Sequence, residues 1–170
     1  ASMAAGEYLT VTQAIVGQEI ADFQYGSGSA KQTVLRFLFK GPAGTYAVAL
    51  HNEALNRSYV ALFTPAVANT DEIISLVIPG DITGTWTTST TTGLTLDIVL
   101  ACGSTFQGTT GWQSGNILGT SGVSNGMGTI AQVFEIGEAG FHLDPESTGV
   151  APVWELPSYD AVYDGLAITP

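Results

Sequence analysis

The stretch Lys31-Gln32-Thr33-Val34-Leu35-Arg36-Phe37-Leu38-Phe39-Lys40 decides the fold class. In an extended chain Thr33, Leu35, Phe37 and Phe39 fall on one side, and Val34, Arg36, Leu38 and Lys40 on the other. That is the period-two pattern of a strand with one buried face, with Arg36 and Lys40 on its solvated side. Gly41-Pro42-Ala43-Gly44 then makes a turn, and Tyr46, Val48 and Leu50 alternate in the next run, so the two runs read as a hairpin.

The habit recurs outward from there. Arg57 to Thr64 sets Tyr59, Ala61 and Phe63 against Val60 and Leu62, and Pro65 closes it. Glu72 to Ile78 is apolar on both faces and is expected to lie centrally in a sheet. Leu94 to Leu100 and Thr129 to Ile136 alternate again, and Tyr8 to Val16 and Ala139 to Asp144 bring the expected strands to about eight. The predicted fold is an all-β, antiparallel β-sandwich of jelly-roll-like type.

Residues 13–144 form the expected domain. Residues 1–12 are expected to be a lead-in, in which Ala1-Ser2-Met3 reads as a remnant ahead of a native start. Residues 145–170, with Pro145, Pro152, Pro157, Pro170 and scattered acids, read as an acidic, proline-rich arm or linker. Two long polar connections, Gly80 to Gly93 and Gly103 to Gly128, each carry a tryptophan. The second is about twice the usual length of a structureless loop, which marks it as functional or as ordered by a partner.

Composition excludes several classes. Hydrophobic residues make up 45% of the 170 and charged residues 11%, the balance of a turn-rich β protein. No run reaches the ~20 apolar residues of a membrane-spanning helix, so membrane insertion is not expected. The net charge of −11 is unevenly placed. Lys31, Arg36, Lys40 and Arg57 are balanced by Glu7, Glu19, Asp22 and Glu53 within residues 1–57, and the eleven later acids meet no base. Such a surface repels phosphate backbones, so nucleic acid is not an expected partner. The lone Cys102 reads as a small buried hydrophobe at a strand end.

The order of several motifs resembles a known family. Gly17-Gln18-Glu19-Ile20-Ala21-Asp22-Phe23, Val34 to Phe39, Gly44-Thr45-Tyr46-Ala47-Val48-Ala49-Leu50 and Asn56-Arg57-Ser58-Tyr59-Val60 are similar to a β-sandwich module of bacteriophage tail-fibre and related virion proteins. The likeness continues through Ile78-Pro79-Gly80-Asp81, Gly84-Thr85-Trp86 and Trp112-Gln113-Ser114-Gly115-Asn116-Ile117-Leu118-Gly119. The resemblance implies a jelly-roll, carbohydrate-binding-module-like domain on the virion exterior. It implies recognition of a host cell-surface glycan, contact with other virion fibre proteins, and a homo-oligomer, with a trimer as the specific expectation. This chain departs from many relatives by ending in the acidic segment Asp144 to Pro170 in place of an Arg- and Tyr-rich tail.

Candidate ligand-binding residues follow from chemistry. Trp86 and Trp112 lie in Gly/Thr-rich loops, where an exposed indole offers a flat apolar platform to a sugar ring. Gln113 and Asn116 supply donors and acceptors near Trp112, while Asn56 and Arg57 belong to a polar cluster with His51, Asn52 and Glu53. The competing reading of each tryptophan is a plug at one end of the sandwich. No cofactor is expected; the alternative, calcium at Glu135, Glu138, His142, Asp144 and Glu146, lacks the spacing of an EF-hand loop. No Gly-x-Ser-x-Gly elbow occurs, and the protein is not expected to be an enzyme, although paired acids keep a glycan hydrolase as a third reading after a fibre spacer.

Overall fold

The computed structural model describes residues 3–153. Among the described residues strands hold 42% and helix only 7%, in two antiparallel sheets, so the protein is an all-β sandwich. The strands are β1 (Tyr8–Val16), β2 (Thr33–Lys40), β3 (Tyr46–Asn52), β4 (Arg57–Phe63), β5 (Glu72–Ile78), β6 (Thr92–Cys102), β7 (Gly111–Ser114) and β8 (Glu135–Leu143), with short 3₁₀ turns at Gly17–Phe23 and Ser104–Phe106. One sheet has the order β1-β6-β3-β4-β7 and the other β5-β2-β8.

The inward set of β2 is as read, while Val34 on its other side is buried as well. Leu35, Phe37 and Phe39 are fully buried and face Tyr46, Val48 and Leu50 of β3 and Leu94, Leu96, Ile98 and Leu100 of β6 across the sandwich. Phe37, Phe39, Phe63 and Tyr46 meet at ring separations of 5.0–5.9 Å, with Phe63 edge to face against Phe37 and Phe39, as aromatic quadrupoles prefer, and Tyr46 tilted against Phe39 and Phe63.

Four expectations about organisation are corrected. β2 and β3 are not a hairpin: β2 pairs with β5 and β8 while β3 pairs with β4 and β6, so Gly41–Gly44 carries the chain from one sheet to the other. β5 is an edge strand and β2 is central, which leaves Ile73 and Val77 about two-fifths exposed on the outer face. Thr129–Phe134 forms no strand; Ile130 and Val133 project into solvent, and Phe134 alone turns in against Phe39 and Tyr46. At the N-terminal boundary, Tyr8 to Thr12 pair with β6, so the sandwich takes in residues ahead of position 13. Of the expected arm, residues 145–153 carry no strand or helix, and 154–170 lie outside the described residues.

The long connection after β6 is ordered by its own sheet. Ile117, Leu118, Val123 and Phe106 pack on Ala47, Ala49, Val60, Val99 and Cys102, a second small core on the outer face of the five-stranded sheet. Backbone bonds from Gly108 to Gly119, Leu118 to Phe106 and Ser124 to Thr45 hold it there. β3 is therefore buried on both faces, and Cys102 is buried at the end of β6, where burial pushes its thiol pKa up.

Candidate functional site

The loop after β5 delivers Asp81 to one end of the sandwich, where its carboxylate has no solvent exposure. Arg57, at the start of β4, donates to it from Nε at 2.9 Å and from Nη2 at 2.6 Å. The Trp86 indole donates at 3.0 Å, and the Thr83 backbone N–H and hydroxyl add two longer bonds. Burial pushes the Asp81 pKa up, but these donors outweigh it and hold the carboxyl below its ordinary value. Around this hub Trp86 and Trp112 meet edge to face at 5.6 Å, Tyr25 packs edge-on to both, and Arg57 lies 5.7 Å over the Trp112 ring.

This geometry overturns the expectation of two exposed platforms. Trp86 is 8% exposed, and Trp112, on β7, packs against the core and donates its indole N–H to the Pro79 carbonyl at 2.7 Å. Both rings plug the end of the sandwich, because their apolar neighbours come from distant sequence: Tyr25 and Tyr59. Arg57 is spent on Asp81. Asn56 accepts a bond from Asn52, whose own oxygen accepts the backbone N–H groups of Asn56 and Arg57, so this polar cluster ties the β3–β4 turn together. Gln113 turns back on Thr109, bonding both its backbone N–H and its carbonyl.

Asn116 is placed differently. It lines a depression of about 180 Å³ on the outer face of the five-stranded sheet, with Tyr8, Thr10 and Thr12 of β1, Thr95 and Asp97 of β6, and His51 of β3. The floor is a polar relay: Thr12 donates to Asp97 Oδ1, Asp97 Oδ2 lies 3.2 Å from His51 Nδ1, and His51 Nε2 lies 3.1 Å from the Ile117 carbonyl. His51 is 1% exposed and Asp97 6%. Among the described residues the side chains of Asn116 and Thr95 have no hydrogen-bond partner, and both line the depression. On the rim the Tyr8 ring is 53% exposed and is braced edge-on by Phe106 at 5.0 Å, and Leu55 stands 47% exposed at the tip of the β3–β4 turn.

The sequence pattern contained this site in a form easily taken for a solvated face. Thr10 and Thr12 on β1, and Thr95 and Asp97 on β6, are polar residues at period two, and only the pairing of Thr12 with Asp97 joins them. Glu135, Glu138, His142, Asp144 and Glu146 do not converge: among the described residues no group of three or more side chains is placed to hold a metal ion. The Asp144 carboxylate instead accepts bonds from the backbone N–H groups of Gly149 and Thr148, the Thr148 hydroxyl and the Gln32 amide. No protein-family model, no curated protein and no solved structure matches the chain.

Proposed function

We propose that this chain is a non-enzymatic recognition module of a bacteriophage fibre, displayed on the virion exterior, that binds a neutral host-surface glycan in the depression between β1, β6 and Asn116. The observation that carries the reading is the pairing of an exposed, braced Tyr8 ring with the unused amide of Asn116 above the Asp97 carboxylate. An aromatic face stacks on the apolar face of a sugar ring. An amide offers both donors and acceptors to adjacent hydroxyls, and each Asp97 oxygen keeps a lone pair for a further hydroxyl. At about 180 Å³ the depression is smaller than sites that enclose drug-sized ligands, so it suits one sugar ring held from one side. The net charge of −11 and the buried carboxylate disfavour anionic sugars. The resemblance to virion fibre modules supplies the setting.

The test is glycan-array binding followed by titration of the best neutral ligand into wild type, Tyr8→Ala and Asn116→Ala. Both variants are expected to lose at least tenfold in affinity with unchanged melting temperature, and no sugar product is expected in either case. Binding retained by both variants places the site elsewhere. Absence of any glycan binding by wild type returns the fibre-spacer reading, and release of cleaved product returns the hydrolase reading.

A further inference from the structure

We infer that the depression takes a sugar bearing an N-acetyl group, and that Leu55 selects this group by packing on its methyl; the inference deepens the glycan reading and rests on it. Leu55 is placed at a cost to the fold. Its φ is 53°, in the left-handed region, where a Cβ crowds the backbone and glycine or asparagine is favoured. Of the six non-glycine residues at positive φ among the described residues, it is the one with a large aliphatic side chain. The turn imposes that conformation: the Leu55 N–H donates to the Asn52 carbonyl at 3.0 Å, and the Asn52 side-chain oxygen accepts the N–H groups of Asn56 and Arg57. Burial does not offset the strain, since the side chain is 47% exposed and belongs to neither hydrophobic core. A strained, exposed leucine that joins no core points to a contact outside the chain.

What it touches follows from its place. Leu55 lines the same depression as Tyr8, Thr95, Asp97, Asn116 and Leu118, so one small ligand reaches two exposed apolar side chains and a polar lining together. A plain hexose gives Tyr8 an apolar ring face and gives the polar lining its hydroxyls, but it brings Leu55 no methyl. An acetamido substituent supplies one. In the same group an amide N–H is a donor for the Asp97 carboxylate, which only accepts, and a carbonyl is an acceptor for the Asn116 amide or the Thr95 hydroxyl. One substituent therefore matches three kinds of lining at once. It is also uncharged, so the excess of negative charge on the protein does not oppose it. A 6-deoxyhexose presents a methyl too, but without an adjoining donor and acceptor, so it serves Leu55 and leaves the polar lining unmatched.

The experiment is NMR titration of the full chain with N-acetylglucosamine, N-acetylgalactosamine, glucose, galactose and fucose, for wild type, Leu55→Gly and Leu55→Asn, with melting curves of all three proteins. Wild type is expected to bind one acetamido sugar about tenfold more tightly than its parent hexose, the low end for one methyl in an apolar contact. A nuclear Overhauser contact between the acetyl methyl and the Leu55 methyls should accompany it. Both variants suit a left-handed backbone, so they should melt no lower than wild type, lose the tenfold preference and still bind the parent hexose. Equal affinity of wild type for both sugars, a preference that both variants keep, or tighter binding of fucose than of either acetamido sugar overturns the inference. Variants that melt below wild type overturn it as well, by showing that Leu55 serves the fold. Hexose binding without an acetamido preference removes this inference alone, whereas wild type that binds no sugar removes the glycan reading and the inference with it.

Discussion

Arg57 and Asp81 form one unit with Trp86 and Trp112, and its energetics are those of a buried ion pair. The pair is bidentate and Asp81 has no exposure, so the two charges satisfy each other where water cannot. Removing one partner costs more than the pair itself contributes, because the remaining carboxylate stays in the protein with only Trp86 and Thr83 to serve it. Arg57→Ala is therefore expected to destabilise the fold by about 3–5 kcal/mol. Arg57→Lys should recover only part of that loss, since an ammonium does not reproduce the fork. Urea unfolding of the three proteins measures this, and a loss under ~1 kcal/mol for the alanine variant, the range of exposed pairs, shows that the pair is not a structural hub. The plug reading of the tryptophans was available in the sequence, but its partners were not: nothing within several residues of Trp86 announces that Tyr25 and Trp112 close over it.

At the scale of elements, sequence alternation reports which face of a strand is buried and leaves its neighbours undetermined. The inward set of β2 was legible residue by residue, whereas its partners β5 and β8 lie at the ends of long connections, so the apparent hairpin with β3 was a crossing between sheets. The apolar outer face of β5 suggested a central strand, and Ile73 and Val77 stand exposed on an edge instead. Close backbone approach was equally hidden. At the start of β6, Gly93 faces Gly17 so tightly that a Cβ there would sit 2.4 Å from Gly17 Cα and 2.5 Å from the Thr87 carbonyl oxygen. Both neighbours are backbone, and Gly17 is itself bonded to Thr91 in the same corner. Gly93→Ala is thus expected to cost at least about 1–3 kcal/mol, the range of overpacked sites, by prying the 3₁₀ turn from β6. A melting temperature equal to wild type would mean that the corner relaxes freely. The depression remained unread for the same reason: its walls come from β1, β3 and β6, which meet only through pairing.

For the whole molecule, two groups of carboxylates pull stability in opposite directions as pH falls. Eight of the twelve acids among the described residues are exposed, and at neutral pH the excess of eleven negative charges repels itself in the compact state. Lowering the net negative charge relieves that repulsion and raises stability. Asp81 and Asp144 behave in the reverse sense. Both are held below the ordinary value, Asp81 by Arg57 and Trp86 against its burial, and Asp144 at about 2 by the backbone N–H of Gly149 together with Gln32 and Thr148. A carboxyl with a depressed folded pKa contributes stability that is present above its unfolded value and is lost as pH falls through the folded one. The melting temperature at low ionic strength is therefore expected to rise from pH 7 to a maximum between about pH 4 and 5, then to fall steeply toward pH 2. Salt should separate the two limbs. At about 0.5 M, screening acts over a few ångströms, so the rise between pH 7 and 5 should flatten, while the acid limb, set by hydrogen bonds made at contact distance, should persist. Asp144→Asn should make that limb shallower, because the amide has no proton to take up. A melting temperature that climbs all the way to pH 2, or an upper limb indifferent to salt, would show that neither the self-repulsion nor the two anchored carboxylates governs the acid response of this fold.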